Sequence, residues 1–239
     1  MTLPKVQHST YPVTLPSSGE KIHFRPFTVK EENLLLLAKQ EEDNQRAIHA
    51  VKQVIENCTE GQVDADKLTS FDVEYLFILI RSKSVGETVQ LQIKCPECDS
   101  ESPAMVNLEE VEVVRDENHT KTIMLDDRVG VQMAYPTLKL SEDLSSANLD
   151  ENNIDPREAY KAMATCIESI FDEEDVYPTS QVEEKELLDW IEGLSRLQRD
   201  EIVRFFNTMP YIKVDVKYNC EQCGKDQVKE ITGLQNFFG

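Results

Sequence analysis

The sequence predicts an α+β fold, on three observations. Quartets with the Ser/Thr-x-x-Glu/Gln capping pattern stand ahead of helical-period runs at Thr28–Glu31, Ser180–Glu183 and Ser195–Gln198. Two other stretches alternate apolar and polar residues with the period of a strand: Val89, Leu91 and Ile93 in one, Ile212, Val214 and Val216 in the other. Each of these strands runs into a Cys-x-x-Cys, at Cys95–Cys98 and at Cys220–Cys223. Residues 1–87 then read as an N-terminal hairpin plus helices, 88–137 with 211–239 as a β module built from two distant knuckles, and 138–210 as a mostly helical insertion.

With 239 residues, 40% of them apolar, the chain can bury a substantial core, since one domain commonly takes about 100–200 residues. The opening MTLPKVQHST has no apolar stretch of the kind a secretory signal needs. The densest apolar run, Tyr75 to Ile80, is far shorter than a membrane span. The expectation is a soluble, unexported protein. Forty-five acidic residues against 25 Lys and Arg give a formal charge of −20, which repels a phosphate backbone and argues against nucleic acid as a partner.

The chain opens with a predicted hairpin, Tyr11–Leu15 and Ile22–Arg25, around the polar turn Ser17-Ser18-Gly19-Glu20. Three helices follow: one after the Thr28 cap, one from about Gln45 to Cys58 with Asn44 as cap, and one from Thr69 or Ser70 that stops before Gly86. Beyond the first knuckle, Met105–Leu108 and Val111–Val114 read as strands, and Thr122–Leu125 with Val129–Met133 as a hairpin around Asp126-Asp127-Arg128. The polar stretch 138–153 reads as a loop. Asp155-Pro156-Arg157-Glu158 carries an N-cap, a first-turn proline and a Glu at the third position, and predicts a helix through Ala159, Met163, Cys166, Ile167 and Ile170. Helices holding Leu187, Leu188 and Trp190, then Ile202, Val203, Phe205 and Phe206, precede the second strand and knuckle.

Four of the six cysteines fall in the two pairs, while Cys58 and Cys166 sit in apolar helical patterns and read as buried small hydrophobes. Two thiolates separated by two residues on a tight turn reach one metal ion together, and two such turns complete the tetrahedral shell of a structural zinc site. Cys95, Cys98, Cys220 and Cys223 are therefore the candidate ligands of one structural Zn2+ in a zinc-ribbon-like module. Pro96 stiffens the first turn, and Gly224 permits positive φ in the second; Asp99 stands where the second turn has glycine, and aspartate tolerates that geometry. The competing reading is dithiol redox chemistry. A thioredoxin-like pair opens a helix within a βαβ unit, and neither pair here precedes a helical pattern.

Other chemistry is set aside. His8, His23, His49 and His119 belong to no metal-ligand spacing and read as surface or half-buried histidines, and no P-loop, GxSxG or GxGxxG occurs. Acidic pairs such as Glu109-Glu110 and Asp126-Asp127 read as solvated turns. The expectation is a non-enzymatic protein. Two apolar features are candidate partner contacts: Arg25 and Phe27 around Pro26, and Phe237 and Phe238 at the end of the chain, where a tail either docks on its own core or anchors to a partner.

The order of segments resembles the baseplate hub proteins of T-even-like contractile-tailed bacteriophages. The resemblance rests on Tyr11-Pro-Val-Thr-Leu-Pro16 with Ile22-His-Phe-Arg-Pro-Phe27 and Val29-Lys-Glu-Glu32, on Phe71-Asp-Val-Glu-Tyr-Leu-Phe77, on Ile80-Arg-Ser-Lys-Ser-Val-Gly-Glu87 leading into the first knuckle, and on the final knuckle with its apolar tail. The acidic stretch 138–186 has no counterpart in it. The resemblance implies a viral protein made in the host bacterial cytoplasm that acts through contacts with other hub and tail proteins, as a hub subunit or an assembly chaperone, and it offers no catalytic residues. A nucleic-acid-binding zinc ribbon and a dithiol oxidoreductase are the alternative functions.

Overall fold

The computed structural model describes residues 4, 6–40, 44–140 and 156–233. Helices and several small antiparallel sheets form two compact units: Met1–Val114 with Tyr211–Gly239, and Arg115–Pro210.

In the first unit β1 (Tyr11–Thr14) and β2 (Lys21–Phe24) form the expected hairpin. Its turn closes through the Gly19 N–H donating to Leu15 O at 2.9 Å, with Gly19 at a φ of 74°, the left-handed conformation glycine adopts freely. The alternation places Val13, Leu15, Ile22 and Phe24 in the core. α1 (Val29–Gln40) and α2 (Asn44–Cys58) follow, and α2 turns Val51, Val54, Ile55 and Cys58 fully inward. Each such aliphatic side chain contributes about 1.5–3 kcal/mol by leaving water.

α3 (Ser70–Ser84) is apolar nearly all round, burying Phe71, Val73, Leu76, Phe77, Ile78 and Ile80, as befits the central helix of the unit. The Thr69 side chain caps it, accepting from the Asp72 N–H at 3.2 Å. Asp72 is itself fully buried. Its carboxylate accepts the Ser17 N–H at 3.0 Å and the Ser17 hydroxyl, so the turn of the first hairpin is latched to the start of α3.

The capping quartet ahead of α1 works with a twist. Glu31 accepts the Thr28 N–H at 2.8 Å, as in a capping box, but the Thr28 hydroxyl donates to the same carboxylate instead of capping the helix amide. Arg25 Nη2 reaches Glu31 at 3.1 Å, and Glu31 is only 4% exposed. Burial raises the pKa of Glu31, but the Thr28 hydroxyl and amide and the Arg25 guanidinium outweigh it and bring the group down from 4.5 to about 2.

β3 (Thr88–Lys94) and β4 (Glu101–Asn107) form the first knuckle hairpin, and a 3-10 turn at Leu108–Glu110 leads to β5 (Glu112–Val114). The chain then enters the second unit. There β6 (Thr122–Met124), β7 (Gly130–Met133), β8 (Ile167–Phe171) and β9 (Val176–Pro178) make an antiparallel sheet in that order. α4 (Pro156–Thr165), α5 (Glu184–Glu192) and α6 (Arg196–Asn207) join Met163, Leu187, Ile191, Ile202 and Phe205 to a core with Ile123, Val131, Met133 and Ile167. The hairpin expected around Asp126-Asp127-Arg128 is present and pairs onward with β8.

Two expectations for this unit are corrected. The helix drawn through Ile170 ends at Thr165: the Cys166 N–H turns back to Met163 O at 3.0 Å, and Ile167–Phe171 becomes a strand between β7 and β9. The quartet at Ser180 caps nothing. Thr179–Gln181 is a 3-10 turn whose Thr179 hydroxyl donates to Ile167 O at 2.6 Å, and α5 starts after Glu183 without a side-chain cap. The Ser195 capping box ahead of α6 is complete. The Asp155 cap and residues 141–153 of the expected loop lie outside the described residues, while 138–140 are helical.

The chain returns to the first unit as β10 (Tyr211–Asn219), which pairs with β5 on one side and β11 (Asp226–Thr232) on the other. β4 packs beside β10, bringing the two knuckles to the same place. No described helix is long and apolar enough to cross a membrane.

Two measurements check this packing. Glu31→Gln should lower stability by about 2 kcal/mol near neutral pH, the scale of hydrogen bonds to a charged group. Because the folded pKa of Glu31 is depressed, its contribution is present above 4.5 and is lost as the pH falls toward about 2. Urea unfolding of the two proteins should therefore converge over that window; a gap independent of pH would contradict the assignment. At Gly130 a Cβ would lie 2.3 Å from Phe171 Cζ and 2.9 Å from Ile123 O. Gly130→Ala should accordingly lower the urea midpoint by an amount equivalent to roughly 1–3 kcal/mol of overpacking.

Candidate metal centre

The two knuckles repeat one backbone design. In the first, the Cys95 N–H donates to Ser100 O at 2.8 Å and the Asp99 N–H to Cys95 O at 3.0 Å. In the second, the Cys220 N–H donates to Lys225 O at 3.0 Å and the Gly224 N–H to Cys220 O at 2.8 Å. Asp99 and Gly224 hold the equivalent left-handed position, with φ of 58° and 69°. Aspartate thus fills the place of glycine, as the sequence suggested. Each knuckle runs from strand to strand, β3 to β4 and β10 to β11, so neither Cys-x-x-Cys opens a helix.

The structure brings all four predicted cysteines together, their sulfurs lying within 4.8 Å of one another. Cys95 Sγ is 3.9 Å from Cys223 Sγ, and Cys98 Sγ is 3.6 Å from Cys220 Sγ. Sulfurs bonded at about 2.3 Å to one tetrahedral ion sit about 3.8 Å apart, so the cluster has the dimensions of a four-thiolate shell. All six cysteines of the chain, these four with Cys58 and Cys166, are free thiols. Cys58 and Cys166 lie elsewhere, buried, their thiols each pushed up to about 12, chiefly by burial. The four sulfurs can hold one metal ion.

Polar neighbours converge on one sulfur. Ser100 Oγ lies 3.4 Å from Cys220 Sγ and 3.0 Å from Cys98 Sγ, and the Ser102 hydroxyl donates to Cys220 Sγ at 3.6 Å. The Ser100 hydroxyl, then the Cys223 amide, the Ser102 hydroxyl and the Gln222 amide hold the Cys220 thiol down at about 5 against the effect of burial. The Cys223 thiol is pushed up to about 11: the Lys225 amide lowers it most, but burial and the other three sulfurs together outweigh that donor. Four thiolates this close would repel one another, and a bound cation would let them ionise together. Lys225 Nζ also reaches Glu97 Oε2 at 2.6 Å, an exposed pair that joins the knuckles at the rim.

Ser100 and Ser102 carried no signal in the sequence, because a serine after a knuckle has no spacing rule of its own. The other candidate contacts separate. Arg25 directs its guanidinium to Glu31 and to Pro26 O at 2.9 Å, and Phe27 is half-buried with its N–H donating to Ser84 Oγ at 2.9 Å. Phe237 and Phe238 lie outside the described residues. Of the histidines, His8, His23 and His49 are exposed and His119 is half-buried between Thr208 and Tyr135. Asp126 accepts the Arg128 and Val129 amides, which makes its acidic pair a turn device.

A family described as T4 bacteriophage base plate protein matches residues 8–239. The baseplate hub assembly protein gp26 of Enterobacteria phage T4 is 28% identical to this chain over 224 residues, which cover 92% of this chain and 94% of that protein. No solved structure matches.

Replacing Cys220 and Cys223 together by serine removes half the sulfurs. Elemental analysis should find metal in the parent and none in the double variant, and hydrogen exchange should accelerate at the Cys95 and Asp99 amides of the untouched knuckle. Full metal content in the double variant would show that the knuckles do not share an ion.

Proposed function

The chain belongs to the T4 bacteriophage base plate protein family, and on that premise we propose that it is a non-enzymatic factor in assembly of the central hub of a contractile-tail baseplate, shaped by one structural zinc ion. The observation that carries the reading is the end-to-end match, over 94% of its length, to a protein named for hub assembly. Its partners in this reading are other hub and tail proteins, met in the host cytoplasm during construction. We place it as an assembly factor that leaves the finished particle, in preference to a permanent hub subunit.

Zinc is the ion this donor set favours, since soft thiolates at tetrahedral spacing suit it and hard oxygen-seeking cations do not. Bound to four sulfurs, it has no open position for water or substrate and supplies folding energy, on the order of 10 kcal/mol in small zinc modules. Cys95 and Cys98 would fix one hairpin to the other through Cys220 and Cys223, leaving surfaces elsewhere to make contacts. α1 supports such a surface: Val29, Leu36 and Leu37 stand on its outward side at 70%, 52% and 61% exposure. Phe27, just ahead of that helix, and the C-terminal Phe237 and Phe238 belong to the same proposal. Two cations of the ribbon speak against the nucleic-acid alternative, because Lys213 lies against Asp215, Glu112 and Glu230, and Lys225 against Glu97.

Affinity purification of the tagged protein from infected cells should recover baseplate proteins, and mass spectrometry of purified virions should not detect it. Recovery of no baseplate protein, together with normal tails in a deletion phage, would overturn the assembly role. Its presence in virions at stoichiometric level would make it a hub subunit. The purified parent should contain about one zinc per chain, since four thiolates fill one shell.

A further inference from the structure

We propose that Ser102 and Ser100 are positioning residues for the metal ligand Cys220, donating hydrogen bonds to its sulfur from the opposite knuckle; this rests on the zinc reading above. Ser102 is fully buried on β4, the strand that leaves the first knuckle. A serine hydroxyl has one proton to give and lone pairs to receive. The Glu221 N–H, from the second knuckle, donates to Ser102 Oγ at 3.2 Å. The hydroxyl proton goes to Cys220 Sγ at 3.6 Å. A hydroxyl closed off from water needs its partners, so the sulfur it faces must accept. A metal-bound thiolate keeps lone pairs for that purpose, whereas a thiol is a weak acceptor.

Ser100 reinforces the arrangement from a half-buried position, its Oγ shared between Cys220 Sγ at 3.4 Å and Cys98 Sγ at 3.0 Å. One ligand of the second knuckle is therefore oriented by two hydroxyls of the first. These contacts cross from one knuckle to the other. Hydrogen bonds of this kind draw charge from the sulfur and fix its direction toward the metal, and outer-shell partners of ligands typically account for about 10–100-fold in metal affinity.

The test compares zinc affinity, by competition with a chromophoric chelator, and the sulfur-to-metal charge-transfer band of the cobalt(II)-substituted protein. In Ser102→Ala and Ser100→Ala, zinc should bind at least about 10-fold more weakly, and the cobalt band should move to lower energy as the sulfur loses a donor. Ser102→Thr, which restores a hydroxyl, should recover both properties. Unchanged affinity and band in both alanine variants would overturn the proposal, as would a Ser102→Thr protein no better than Ser102→Ala. Should Ser102→Ala not fold, Ser100→Ala reads the same sulfur from a more tolerant position, and an unchanged band there overturns the proposal. If the parent takes up neither zinc nor cobalt, it is the zinc reading itself that has failed.

Discussion

Sulfurs contributed by residues 128 apart in sequence meet at 3.9 Å, and the first unit is organised around that closure. A loop of that length costs entropy to close, although the cost grows only slowly with its length. Against it stand the pairing of β10 with both β5 and β11, the packing of β4 beside β10, and the polar bridge from Ser102 to Cys220 and Glu221. These contacts hold the four sulfurs near each other, at a spacing where they could hold one metal ion.

Away from the cysteines, buried carboxylates serve as fasteners. Asp72 and Glu31 are both removed from water, and each is surrounded by donors: Ser17 for one, Thr28 and Arg25 for the other. Such groups are expensive to bury alone and specific when paired, since only one arrangement of the chain satisfies them. The first hairpin is thereby fixed to α3 through its turn, and the entry to α1 is fixed to the end of β2. Apolar burial by α2 and α3 supplies the bulk of the stabilisation, and these polar latches define which way the hairpin faces.

Much of this was legible in the sequence where a local rule governs. The glycine of the first turn, the Thr69 start of α3, the Ser195 box and both knuckles follow from residues only a few positions apart. Asp99 was readable for the same reason, as its left-handed backbone is set within its own turn. The rule failed where tertiary partners intervened. Ile167–Phe171 has the apolar spacing of a continuing helix, but its β-branched residues lie between two strands, and pairing with β7 and β9 prevails over helical periodicity. Ser180 matches the capping pattern, but the turn holding it is drawn to β8 through Thr179. The serines around Cys220 were invisible because their partners come from the other knuckle, well over a hundred residues away.

Val114 and Tyr211 are direct partners across β5 and β10, and the whole second unit is strung between them. Its two attachment points are therefore about 5 Å apart, the spacing of facing residues in an antiparallel pair. A guest inserted at such a site enters and leaves through a single gap in the host. A change in the length of the second unit leaves the register of β5 and β10 as it is, because that register is set by their own pairing.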